Sequence, residues 1–374
     1  MNVYLDYAST TPIHPEVIDY MSEIMRDYYG NPSSIHRLGR EARTVVEKSR
    51  RTIAQVLNCS IGEIFFTSSA TEAHNTLLKR SVQDLDIERI IFLPLEHHCG
   101  IHCIEEIEKI HTLETIPLKV DKKGNISIQD LEGMLNDNKK TLVSVMHVNN
   151  EIGNIYPIDK IGEICAQAGA LFHTDTVQSI GKIPLDFTTL HADLAAGSAH
   201  KFYGPKGVGF MYINDEVQIK PMIYGGAQER NMRAGTENII GIAGMAKALE
   251  IADRDLKERA ETIALRQSYF EEKVLQEIQG TWINGSETRA SHITSVSFPS
   301  SPHVDMLMFN LDIGGIAASS ASACSSGIEA DSHVLKAIQH PDDRKSIRFS
   351  FSHLTSEDEL DYVISILKKH TQSA

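Results

Sequence analysis

The sequence predicts an α/β protein in two parts, a large domain built on a mostly parallel sheet and a small α+β domain. Three observations carry this. Apolar strand-like runs alternate with helix-like runs through the first two thirds of the chain, as in a parallel sheet covered by helices on both faces. The last third alternates differently, behind a long stretch of helical spacing. The chain has 374 residues, more than one small core organises.

The elements follow in order. Residues 63–67 read as a strand and 71–79 as the helix after it. Residues 89–93 read as a second strand, followed by a patterned stretch to about residue 110. A strand at 141–146 precedes a helix at 158–168, and a buried apolar strand then runs from about 169 to Asp175. Small residues at 193–198 and an apolar run at 210–213 add two more strands. From 241 to 279, Ile251, Leu256, Ile263, Leu265, Phe270, Val274 and Ile278 recur at helical spacing, which predicts one long connecting helix. Beyond it, strands at 293–298 and 346–350 and helices at 304–311 and 356–369 form the small domain. The first dozen residues are expected to pack on that domain. The division is then 14–255 for the large domain, with 1–13 and 256–374 for the small one.

Composition narrows the function. A net charge of −14 argues against a nucleic-acid partner, which needs a basic face. No run approaches the roughly 18 uninterrupted apolar residues of a membrane span. The N-terminus lacks the basic and apolar regions of a leader, so a cytoplasmic location is expected. Five cysteines, at 59, 99, 103, 165 and 324, are odd in number and irregularly spaced. That is unlike a secreted disulfide framework.

Chemistry concentrates at the ends of strands, where parallel sheets bind ligands. Phe172-His-Thr-Asp-Thr-Val-Gln178 delivers Asp175, and Ser198-Ala-His-Lys201 delivers Lys201. An aspartate and a lysine brought together there suit pyridoxal phosphate. The lysine holds the cofactor covalently and the acid keeps the pyridine nitrogen protonated. Alone, Lys201 would read as a surface lysine and Asp175 as a turn cap. The tight turn Gly204-Pro-Lys-Gly-Val-Gly209 buries the lysine segment and favours the chemical reading.

Gln178 and Asn150 stand where an amide can meet the cofactor ring. Ser68-Ser-Ala-Thr-Glu72, between a strand and a helix, reads either as a helix cap or as an anion site. Ser198 and His200 add donors to the second reading. His97 opens a His/Cys cluster, in which His98 and His102, and likewise Cys99 and Cys103, share a spacing of four. No second cluster of zinc-like spacing follows, so no metal is expected and His97 is read as stacking on the cofactor as a proton shuttle. Cys324 sits in Ala317-Ala-Ser-Ser-Ala-Ser-Ala-Cys324-Ser-Ser-Gly327, an accessible thiol among small residues. The other four cysteines are read as core. Arg348, on a strand, is a candidate for a substrate carboxylate.

Nearly the whole chain resembles the pyridoxal-phosphate-dependent cysteine desulfurases of the class V aminotransferase group. The resemblance lies in Tyr4-Leu-Asp-Tyr-Ala-Ser-Thr-Thr-Pro12, Tyr29-Gly-Asn-Pro-Ser-Ser-Ile-His36, Met146-His-Val-Asn-Asn-Glu-Ile-Gly153 and Met232-Arg-Ala-Gly-Thr236. The serine-rich run at Cys324 is similar to the subgroup with a long catalytic loop. Ala199 and Ala321 stand where glycine is usual.

The resemblance implies the fold-type I pyridoxal-phosphate transferase architecture and L-cysteine as substrate. It implies that Lys201 holds the cofactor, His97 stacks on it, and Asp175, Gln178 and Asn150 surround its ring. Ala70, Thr71, Ser198 and His200 would hold its phosphate, with Thr236 reaching across a homodimer to the neighbour's phosphate. Asn150 and Arg348 would meet the substrate. Cys324 would carry the sulfur as a persulfide to an acceptor protein, an iron–sulfur scaffold being one candidate, or to a small thiol. A selenocysteine lyase or an aminotransferase would share Lys201 and Asp175; the aminotransferase would not need Cys324.

Overall fold

The structure is a computed structural model that describes residues 1–320 and 332–371. Cys324 and Ala321 therefore lie outside the described residues.

A seven-stranded sheet forms the frame. Its spatial order is Ile64–Thr67, Gly209–Ile213, Leu194–Ser198, Leu171–Asp175, Thr141–Ser144, Arg89–Phe92 and Glu114–Pro117. All strands run parallel except Gly209–Ile213, which is antiparallel to both neighbours. The four central strands Leu194–Ser198, Leu171–Asp175, Thr141–Ser144 and Arg89–Phe92 are almost wholly buried. This explains why they read as continuous apolar runs rather than alternating ones.

The strand Leu194–Ser198 is built from small residues for a reason of packing. A Cβ on Gly197 would come within 2.4 Å of the Phe210 ring, so glycine makes room for that ring in the core. Ile91, Val143, Phe172 and Phe210 anchor the main apolar cluster.

A second sheet, wholly antiparallel, runs Ser319–Ser320, Lys345–Ser350, Ile293–Phe298, Trp282–Ile283. Phe270, Phe298, Phe349, Phe351 and Leu360 form a separate cluster on it. The N-terminal strand Val3–Tyr4 pairs with Ile316–Ala317, and Asp6 bridges to Ser350. Among the described residues, no helix is long and apolar enough to cross a membrane.

Three features differ from the sequence reading. The expected helix at 241–279 is two helices, Ile239–Arg254 and Leu256–Glu277. Asp255 breaks them at φ −99°, ψ 4°, where its carboxylate accepts from Arg254 and Arg259, each at 2.7 Å. The helix expected at 304–311 is likewise Pro302–Asp305 and Leu307–Ile313, parted at Met306 (φ −96°, ψ 6°). The reading also placed no element on residues 15–56, where Pro15–Asp27 and Arg37–Val56 are helices. The second carries eight charged residues among its 20, one of them the buried Arg50, and only a few apolar ones such as Ala42, Val45, Val46 and Ile53 on its buried face, a weak signal in one sequence.

Candidate active site

Strand ends assemble the site. Leu171–Asp175 finishes on Asp175, whose Oδ1 accepts the Val177 backbone N–H at 2.8 Å. The parallel neighbour finishes on Ser198, and one 3-10 turn, Ala199–Lys201, then presents His200 and Lys201. The N-terminal segment clamps that turn. Thr11 donates to the His200 carbonyl from its backbone N–H at 2.9 Å and from its hydroxyl at 3.0 Å. Lys201 Nζ donates to the carbonyls of Ala8 at 2.7 Å and Ser9 at 2.8 Å.

These groups face a cavity of about 390 Å³. Of the twelve residues singled out from the sequence, ten line it: Ala70, Thr71, His97, Asn150, Asp175, Gln178, Ser198, His200, Lys201 and Arg348. Thr236 does not; it is exposed on its own chain, three residues beyond Arg233, which pairs with Glu72 at 2.9 Å. Cys324 is the twelfth and lies outside the described residues.

The wall also contains Ser9, Ser69, Cys99, Met146 and Val177, which the sequence reading did not assign to the site. Cys99 corrects an expectation, since it was read as core. It occupies the first turn of His98–Ile110, a helix that starts beside the cavity. Its thiol lies 3.0 Å from His97 Nδ1.

The two readings of Ser68–Glu72 prove compatible. Ser69 Oγ accepts the Glu72 N–H at 3.2 Å, and the Glu72 carboxylate accepts the Ser68 N–H at 2.8 Å. This is a helix cap, yet Ser69, Ala70 and Thr71 still face the cavity. Gly209 permits it: a Cβ there would stand 2.6 Å from Gly197 O and 3.0 Å from the Ser69 carbonyl carbon. The helix start therefore lies directly against the end of the sheet, its N–H groups available to an anion.

The charge pattern is specific. Burial pushes the Asp175 carboxyl up, but His74, the Val177 amide and His97 outweigh it and bring it down to about 2. Asp175 is thus a carboxylate at neutral pH. Burial takes His97 down to about 4, against the pull of Asp175. His97 Nδ1 accepts the Cys99 N–H at 3.2 Å, so this neutral ring carries its proton on Nε2. Burial, with Lys201, Lys206 and Lys182 nearby, lowers His200 to about 4.

Arg348 is 5% exposed. It donates to Asn150 O at 2.8 Å, Asp6 Oδ1 at 2.8 Å and Ser9 Oγ at 2.6 Å. Its Nε is buried without a partner. The donor set matches what pyridoxal phosphate requires: an amine for its aldehyde, a buried carboxylate for its ring nitrogen and a hydroxyl-rich helix start for its phosphate. Among the described residues, one trio brings possible metal ligands within 4.8 Å of each other, namely His74, Cys99 and Asp175. It does not include His98 and His102, whose rings are 5.0 Å apart.

Glu151, beside Asn150, gives a test of the surrounding fold. It is buried and accepts the Ser332 hydroxyl at 2.5 Å. Burial raises its carboxyl from 4.5 to about 7. The folded chain therefore holds this proton more tightly than the unfolded one. The associated stability is complete below pH 4.5 and is lost as pH rises through 7, of the order of 3 kcal/mol. Glu151→Gln is expected to raise the melting temperature at pH 8 by a few degrees and to leave it unchanged at pH 4. Calorimetry at both pH values checks this; equal shifts at both would contradict it.

The class-V aminotransferase family profile matches residues 3–363. The chain belongs to that family, whose members depend on pyridoxal phosphate. It is 40% identical over 372 residues to the cysteine desulfurase IscS of Dictyoglomus turgidum, covering 98% of this chain and 94% of that one. It is 38% identical over 355 residues to the putative cysteine desulfurase IscS 1 of Bacillus subtilis, covering 93% of each. A solved NifS-like protein superposes with a TM-score of 0.91 at 36% identity, covering 99% of both chains.

Proposed function

We propose that this protein takes sulfur from L-cysteine with pyridoxal phosphate, releases alanine, and carries the sulfur on Cys324 for transfer to an acceptor protein or a small thiol. The observation that carries the reading is the convergence of Lys201 and Asp175 on one cavity. Family and relatives support it.

Bound cofactor supplies a sink for the electron pair left at Cα when its proton departs. The chain's residues do the rest. Lys201 Nζ would hold the cofactor, and as a free amine it would take the proton from the substrate Cα. Asp175 holds the negative charge that keeps the ring nitrogen protonated. His97 stacks and relays a proton through Nε2. The start of Ala70–Asp84, with Ser198 and His200, takes the phosphate. Gln178 and Asn150 orient the ring, and Arg348 receives the substrate carboxylate.

The cysteine Cβ–S bond breaks and an S–S bond to the Cys324 thiolate forms. Sulfur is oxidised as Cβ is reduced, so no outside oxidant enters. The four described cysteines favour this role for Cys324. Burial pushes Cys59 and Cys165 up to about 12, Cys103 to about 11, and Cys99 well above its usual range. None of them is a thiolate at neutral pH.

The exposed position of Thr236 suits a homodimer in which it completes the partner's phosphate site. Residues 14–255 would form the cofactor-binding domain, and 1–13 with 256–374 the small domain, in the cytoplasm. The test is alanine formation from L-cysteine by the cofactor-loaded protein with a reducing thiol. Alanine matched by equal sulfide is expected. A keto acid in place of alanine would overturn the reading.

A further inference from the structure

Behind Asp175 lies a chain of buried side chains that the reaction as described does not use. His74 Nε2, on the helix Ala70–Asp84, stands 3.1 Å from Asp175 Oδ2. His74 Nδ1 is 2.9 Å from His173 Nε2. His173 Nδ1 is in turn 2.9 Å from Ser144 Oγ. His74 is 1% exposed, and His173 and Ser144 are wholly buried. The four residues come from one helix and two neighbouring strands, all in the frame of the large sheet.

We propose that His74 and His173 are positioning residues, forming with Ser144 a relay that turns Asp175 toward the cofactor's ring nitrogen and keeps it ionised. This rests on the desulfurase reading of the cavity.

The protons can be placed. An ionised Asp175 only accepts, so His74 Nε2 must carry the hydrogen between them. In the arrangement with a single hydrogen on His74, its Nδ1 is a lone pair that accepts from His173 Nε2–H. His173 Nδ1 is left to accept the Ser144 hydroxyl hydrogen. Each contact in this arrangement receives one proton, and the net charge falls on Asp175. Burial and the neighbouring His74 lower His173 to about 3, which agrees with a neutral ring.

His74 Nε2 is buried, has no hydrogen-bond partner, and lies 3.1 Å from Asp175 Oδ2 as a close polar contact. Val177 N–H holds the other carboxylate oxygen at 2.8 Å. One carboxylate oxygen is thus held by a backbone amide, and the other faces His74 Nε2.

Other ionisable groups around Asp175 do not replace this support. Glu96, His97 and Cys99 come from the turn and helix after the strand Arg89–Phe92, and Lys201 lines the same cavity. Burial and Asp175 raise Glu96 well above its usual range, which disfavours a second charge there. Burial keeps His97 neutral and Cys99 a thiol. Removing His74 therefore removes a donor to a buried charge, which is costly.

The test uses pyridoxal phosphate labelled with ¹⁵N at the ring nitrogen, bound to the full chain. The readouts are the ¹⁵N shift and the visible absorption from pH 6 to 9, with cofactor affinity by titration. Asp175→Asn is the reference for a lost acid. His74→Leu is expected to move the ¹⁵N shift toward the deprotonated ring at the upper pH values and to weaken binding about tenfold. His74→Gln, which keeps an N–H at similar reach, is expected to restore most of both.

A His74→Leu protein with the wild-type shift and pH profile, beside an altered Asp175→Asn, would overturn the relay. Should His74→Leu not fold, His173→Gln carries the same two outcomes. Failure of the wild-type chain to bind the labelled cofactor would instead strike the desulfurase reading itself, an outcome distinct from a bound cofactor indifferent to His74.

Discussion

Lys201→Ala is expected to reduce alanine formation from L-cysteine by about 10³-fold or more, since it removes both a covalent anchor and a proton-transfer group. The protein should still bind cofactor, because Asp175, the helix start at Ser69–Thr71, Ser198 and His200 remain on the cavity wall. Bound cofactor should dialyse away more readily, and its visible absorption should lose the signature of covalent attachment. The fold should survive. The turn Ala199–Lys201 keeps its two hydrogen bonds from Thr11 to the His200 carbonyl, while the contacts of Nζ with the Ala8 and Ser9 carbonyls go. Activity within tenfold of wild type, with unchanged absorption, would remove Lys201 from the chemistry. Lys201→Arg is a useful companion. It preserves the charge but presents a guanidinium that stays protonated, so it should be as inactive as the alanine variant.

Much of this site was legible because its residues stand at the ends of buried strands. Continuous apolar or small-residue runs locate those strands, and the first polar residues after them, Asp175 and the Ser198–Lys201 group, fall on one edge of the sheet. Helix signals at 158–168 worked equally well, since Ile158, Ile161, Ile164 and Cys165 are buried on one face.

What escaped depends on contacts distant in the chain. The N-terminal motif was seen, but its use as a clamp on residues 200–203 depends on pairing across about 190 positions. His74 lies mid-helix, and nothing in its local pattern shows that it meets His173, 99 positions away. Cys99 looked like core because it belongs to a helix with a buried face. Its place in the first turn puts it at the cavity instead. The break at Asp255 has the same origin, because its arginine partners are on both sides of it in sequence and local spacing alone favours a continuous helix.

Cys324→Ser is expected to separate binding from sulfur transfer. The substituted protein should bind cofactor normally, since none of the described cavity-lining groups changes. Addition of L-cysteine should still alter the cofactor's absorption, because Lys201, Asp175 and Arg348 are intact. The persulfide, read by mass spectrometry as a gain of one sulfur, should be absent, and alanine formation should fall below about 1% of wild type, as for loss of a covalent nucleophile. The expectation rests on ionisation. Transfer of sulfur needs a thiolate, serine's hydroxyl is not ionised at neutral pH, and burial holds the four described thiols protonated. Cys99 is the sharpest internal control, because it already lines the cavity. If location alone sufficed, Cys99 would take the sulfur in the Cys324→Ser protein, and the mass gain would appear on its peptide. Burial and the nearby Asp175 and Glu96 oppose its ionisation, so Cys99→Ala should leave persulfide formation on Cys324 intact. Sulfide and alanine released by Cys324→Ser at the wild-type rate would show that sulfur leaves the cavity by a route that does not use this thiol.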